Sequence, residues 1–189
     1  MTLLIREQNF GIEIEMTGIT REKAASVLAD YFGTAAEYVG GVYNKYRVKD
    51  SKRRYWNLVR DSSIKTYENK KGKLTAASTD FSVELVSPIC EYGDIELIQE
   101  LIRRLRKAGA VTNESTGIHI HVDASKFDAV SLRNLTNIIR SKEDILYKVL
   151  QVDIAREHYC KKVEERFLAQ LNKRKPKTKE ALKNIWYQG

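Results

Sequence analysis

The sequence has little of what punctuates or staples a chain. Among 189 residues there are two prolines, ten glycines and two cysteines. So few prolines and glycines exclude collagen-like repeats and linker-rich arrays. With 42% hydrophobic and 31% charged residues, the composition is also not that of a disordered chain. Cys90 and Cys160 form no Cys-x-x-Cys pair, which fits a reducing compartment better than a disulfide framework, and neither reads as a nucleophile. Hydrophobic runs are too short for a membrane span, and the N-terminal "MTLLIREQNF" meets Arg6 and Glu7 before a signal-peptide core could form. A cytoplasmic protein with no membrane partner is expected. No internal repeat is visible, and the length suits a single α+β domain with its own core, 1–189.

What is in excess is positive charge: 33 Lys and Arg against 25 Asp and Glu, a formal net charge of +8. A basic surface attracts polyanions such as nucleic acid, nucleotides or acidic peptides. The excess gathers in Lys45 to Arg54, in Lys70-Lys71-Gly72-Lys73 and in Lys173 to Lys177. Such runs are most often solvated loops. No nucleic-acid-binding motif accompanies them, so nucleic acid is an unlikely partner.

Periodicity predicts a strand over 9–16, then a helix capped by Thr20 and stopped by Gly33. Residues 34–53 stay ambiguous. "RYWNLVRD" at 54–61 reads as a strand in which Trp56 packs, "NKKGK" as the turn of a hairpin, and "FSVELVSP" at 81–88 as a strand ended by Pro88. Asp94 is placed to cap a helix whose apolar residues Ile95, Ile98, Leu101, Ile102 and Leu105 recur at helical spacing, with Gly109 as its stop. After "GIHIHVD" at 117–123 the character turns helical. Ser141 is a candidate cap between two helices, and "KKVEERFLAQLNK" and "KPKTKEALKNIWYQG" follow as further helical segments. The expected division is thus a strand-rich 1–123 and a helical 124–189.

Side chains alternate along a strand, so in "FGIEIEM" Ile12, Ile14 and Met16 share one face while Glu13 and Glu15 share the other. In "GIHIHVD" the apolar row is Ile118, Ile120 and Val122, opposite His119, His121 and Asp123; in "FSVELVS" Glu84 opposes Phe81, Val83 and Leu85. Water on one side of an antiparallel sheet accounts for any one such strand. The recurrence of Glu and His on all three does not follow from solvation alone, because these are cation-coordinating types. Two carboxylates about 6 to 7 Å apart repel by about 2 to 3 kcal/mol at an effective dielectric near 20, and a third adds to this. Proton uptake or divalent cations would relieve it. An oxygen-rich set with one imidazole suits Mg²⁺ or Mn²⁺, and zinc less, there being neither a Cys pair nor a His-Glu-x-x-His helix.

The order "FGIEIE", "WNLVRDSSI", "VELVSP", a helix, then "STGIHIHVD", followed by "EHYCKKVEERFL" and "KNIWYQG", resembles the amidoligase family from about residue 8 onward. Members of that family share the sheet of glutamine synthetase and glutamate-cysteine ligase. The resemblance implies a mainly antiparallel, curved sheet with helices packed on one face. It also implies ATP-dependent joining of a carboxylate to an amine through an acyl phosphate, the amine and carboxylate coming from amino acids, peptides or protein side chains. By position, Glu13, Glu15, Glu84 and His119 would bind metal, and His121 would contact phosphate, although the two histidines could exchange roles. Asp61 and Ser63 would position or deprotonate the amine, unless they form only a turn-capping pair. Arg60 and the basic run Lys45 to Arg54 could help to neutralise phosphate or an acidic substrate. Family members commonly continue past this point, so a chain incomplete at its C-terminus is expected. A metal-dependent hydrolase using the same His and Glu residues is the main alternative, and a basic nucleic-acid-binding protein a weaker one.

Overall fold

The computed structural model describes residues 5–70, 73–152, 156 and 159–187. They form two compact units, Met1–Asp123 and Ala124–Gly189.

In the first unit the strands are β1 (Phe10–Met16), β2 (Ala36–Gly40), β3 (Lys45–Lys49), β4 (Tyr55–Val59), β5 (Tyr67–Lys70), β6 (Lys73–Ala76), β7 (Val83–Val86) and β8 (Ile118–Val122), with helices α1 (Arg21–Phe32) and α2 (Ile95–Lys107). Six strands make one sheet in the order β2-β3-β4-β7-β1-β8, and every named pairing in it is antiparallel. β5 and β6 form a separate hairpin, the tip of which lies outside the described residues. The order places β1, with its two glutamates, between the strand of Glu84 and the strand of the histidines.

The core lies on one side of this sheet. Ile14 and Met16 of β1, Val83 and Leu85 of β7, Trp56 and Leu58 of β4 and Val48 of β3 pack with Ala24, Ala25 and Leu28 of α1 and Leu101 and Leu105 of α2. α1 is bounded as its sequence demands: the Thr20 side chain accepts from Lys23 N, and Gly33 closes the helix at φ 64°. Trp56 is fully buried and donates from Nε1 to Asp50 Oδ2 at 3.2 Å. Cys90 is buried, and burial raises its thiol pKa, which suits a packing role.

Three expectations need correction. The run Lys45 to Arg54 is not a solvated loop: its first half is β3, in which Tyr46 and Val48 face the core between the cations. Arg54 bridges Asp50 and Asp94. Asp94 stands at the start of α2 without capping it; its carboxylate reaches back to Glu91 N and is held by Arg54 and Lys52. Ser141 interrupts nothing, because its hydroxyl donates to Ile138 O inside the single helix α3 (Ala129–Val149).

The second unit consists of α3, α4 (Glu165–Arg174) and α5 (Lys179–Tyr187). Phe167, Leu171 and Ile185 are its buried core, with Trp186 edge-on to Phe167. Asn137 and Asn172 exchange amide hydrogen bonds between α3 and α4. No helix among the described residues is long and apolar enough to cross a membrane.

Candidate active site

The register settles which polar side chains meet. Glu13 lies opposite His119 across β1 and β8, Glu15 opposite Glu84 across β1 and β7, and Gly11 opposite His121. Directly opposed residues share a face, and this one is turned away from α1 and α2. Glu13, Glu84 and His119 each offer a ligand atom within 4.8 Å of the others, and so do Glu15, Asp61 and Glu84. The two sets share Glu84.

Each member is held by an identifiable device. The Glu13 carboxylate lies between two imidazoles, with His119 Nδ1 3.1 Å from Oε2 and His121 Nε2 3.3 Å from Oε1. Burial would raise its pKa, but the hydrogen bonds from His119 and His121 outweigh that and bring it below the usual value. Glu15 is buried and its Oε2 accepts from Gly117 N at 2.7 Å. That N–H is delivered by the "NESTG" turn, in which Asn113 Oδ1 accepts from Ser115 N and Thr116 N donates to Asn113 O. Asp61 leaves the end of β4 beside β7, where Ser82 Oγ accepts from its N–H and donates to its C=O.

Glu84 carries the strain of the arrangement. Burial, then the charges of Glu13, Asp61 and Glu15, push its pKa up to about 7. Glu84 therefore holds its proton to higher pH when folded than when unfolded. The stability this gives is fully present below the ordinary glutamate value of 4.5 and is lost as pH rises toward about 7. The slope is at most about 1.4 kcal/mol per pH unit, less at a half-buried group. Melting in chelator should show stability falling across that window, with Glu84→Gln flattening the fall; an unchanged slope in the variant would remove Glu84 as its source.

Ser63 and Arg60 are placed differently from these residues. Ser63 enters through its main chain, donating from N to Asp61 Oδ1 at 2.6 Å, the geometry of a turn-capping pair. Arg60 follows β4 on the parity of Trp56 and Leu58, the core side, where its charge is felt by the buried Arg21. Of the sequence-selected residues, Glu13, Glu15, Glu84, His119, His121 and Asp61 come together. Sequence reasoning missed the Gly117 N–H and Ser82, although Ser82 shares the parity of Glu84 in "FSVELVS" and was legible there.

Beside Glu13 and His121 the face opens into a cleft of about 430 Å³, walled by Val86, Pro88, Ile89 and Val122. Its floor is Gly11. A Cβ there would meet only His121 Cβ, at 4.0 Å, so neither packing nor backbone conformation requires glycine in this strand. Glycine weakens a strand, and what it provides here is room next to Glu13.

The model of one protein family, described as "Putative amidoligase enzyme", matches residues 6–189. The chain belongs to that family. A search of curated proteins and one of solved structures gave no match. As an amidoligase the chain is grouped with enzymes that form amide bonds, and so with a carboxylate and an amine as the general substrates. The matched region takes in every residue of the two carboxylate sets.

Proposed function

We propose that this amidoligase is an ATP-dependent carboxylate-amine ligase of the glutamine synthetase-like type, working through an acyl phosphate with Mg²⁺ or Mn²⁺ on the open sheet face. The observation that carries the reading is the pair of ligand sets joined at Glu84, with four carboxylates and one imidazole converging on one face. Such a donor set fits hard divalent cations, which would offset the mutual repulsion of the four carboxylates. Glu13, Glu84 and His119 would hold one cation, and Glu15 with Glu84 a second. Cations held there would supply positive charge against the phosphates and the charge that develops as the phosphoryl group moves.

The chain's own residues do the rest. His121 donates to a phosphate oxygen at the mouth of the cleft, and the apolar walls above Gly11 take the base of the nucleotide. The substrate carboxylate attacks the terminal phosphorus and ADP leaves. The amine then adds to the acyl phosphate, phosphate departs, and Asp61, oriented by Ser82 and by the Ser63 N–H, accepts the amine proton. Excess negative charge would hinder this sequence without cations, so chelation should stop it.

The test is a screen of ADP release across carboxylate and amine pairs with Mg²⁺ or Mn²⁺. Release that requires metal, carboxylate and amine together is expected. Nucleotide-independent ester or phosphodiester hydrolysis, with no ADP release from any pair, would overturn the reading in favour of a hydrolase.

A further inference from the structure

The open face does not end at the carboxylates. Following the register through all six strands gives one row, His119, Glu13, Val86, Asn57, Arg47 and Glu37. Three strand spacings separate Glu13 from Arg47, about 14 Å. On β3 alternation puts Lys45, Arg47 and Lys49 on this face while Tyr46 and Val48 turn to the core. The face is therefore acidic at β1, β7 and β8, neutral through Val86, Asn57 and Val59, and basic at β3.

The basic end is organised. Glu37 clamps the Arg47 guanidinium through Nε at 2.7 Å and Nη2 at 2.8 Å. The same guanidinium lies 4.4 Å from the Tyr55 ring centroid, and the Lys49 ammonium sits 5.0 Å from that ring. Arg47 Nη1 makes no hydrogen bond among the described residues, and the Arg47 side chain keeps 33% of its exposure. A solvated arginine would pay rotamer entropy to bind an anion; this one is already ordered by a carboxylate and a ring, with donors to spare. Glu37 offsets one of the three positive charges and leaves the strip cationic.

We infer, resting on the ligase reading, that the acyl substrate is an extended, peptide-like acid with a second carboxylate at its far end. One carboxylate is activated at the Glu13–Glu84 cluster, and the other is received by Arg47 and Lys49 over Tyr55. At about 3.4 Å per extended residue, the separation corresponds to about four residues.

The test is calorimetric binding to the full chain with Mg²⁺ and a non-hydrolysable ATP analogue, using succinyl-trialanine, with a carboxylate at each end, and its C-terminal amide, which keeps only the succinyl carboxylate. The diacid is expected to bind about tenfold more tightly than the amide, as for one charge-assisted contact. Arg47→Ala with Lys49→Ala should erase that ratio and leave binding of the amide unchanged. Lys23→Ala with Lys107→Ala, which removes the same charge from exposed helix positions, should preserve it. Equal binding of the two probes by the native chain, or a ratio that survives in the Arg47/Lys49 variant, would overturn the inference. Because binding is read without turnover, an absence of ADP release would count against the ligase reading alone.

Discussion

Under the proposed ligase function, Glu13→Gln should lower metal-dependent ADP release by about 10² to 10³, the usual scale for deleting one group that stabilises charge in a transition state. The substitution keeps the shape of the side chain and a carbonyl oxygen for the imidazoles, so the strand and its pairing with His119 persist. It removes the negative charge from the set that Glu13 shares with Glu84 and His119. A second, independent effect should accompany the first. Glu13 is the largest of the charges that raise the Glu84 pKa, so in the variant Glu84 should titrate lower and the pH slope of metal-free stability should shrink. Kinetics with Mn²⁺ and Mg²⁺, and chelated melting curves against pH, check the two effects separately. Activity within about threefold of the native chain would remove Glu13 from the metal set.

Arg54→Met should destabilise the sheet unit by about 3 to 5 kcal/mol, a large part of the 5 to 15 kcal/mol typical of a domain. Arg54 donates to Asp50 Oδ2 at 2.8 Å, to Asp94 Oδ2 at 2.7 Å and Oδ1 at 3.0 Å, and to Ile89 O at 3.1 Å. The Asp50 and Asp94 side chains are 1% and 4% exposed. Methionine would fill the space of the stem and leave two buried carboxylates with Lys52 and the Trp56 indole N–H as their remaining side-chain donors. The hydrogen bond from Arg54 is the largest effect holding the Asp94 carboxyl far below its usual range. A depressed acid contributes stability above its unfolded value of 3.8 and loses it as pH falls below that, so the native chain should soften in acid and the variant much less so. Urea unfolding followed by Trp56 fluorescence in a Trp186→Phe background measures the loss. Arg103→Met, on the exposed side of α2, is the control and should stay within about 0.5 kcal/mol. A comparable loss in both variants would show that Arg54 matters only as a generic charge.

The parts of this molecule that sequence exposes are those decided locally. Thr20 and Gly33 bracket α1, and the period-2 pattern of "FGIEIEM" and "GIHIHVD" puts Glu13, Glu15, His119 and His121 on one side of their strands. β3 was hidden because its alternation sets only Tyr46 and Val48 between three cations, and charge at that density resembles a loop. Ser141 resembled a boundary because a serine that bonds back to a carbonyl within a helix cannot be told in sequence from one that caps. The approach of Asp61 to Glu15 and Glu84 depends on β4 lying next to β7, and strand order is a property of the whole sheet. The resemblance selected Asp61 for a chemical role; its carboxylate neighbours came from topology.

The position of β8 has a consequence for the order in which the molecule becomes functional. β8 is an edge strand, and His119 meets Glu13 across 106 residues of sequence. Contacts of that separation form late, because the intervening chain must be ordered before they are rewarded. During synthesis the glutamates on β1 emerge first and wait for β4, then β7, and last for the imidazoles. On the ligase reading proposed above, an ion that needs His119 would bind more tightly once β8 is paired with β1, and its binding energy would favour that pairing. Metal at this site would then report that β1, β7 and β8 have come together, which none of the three strands can do alone.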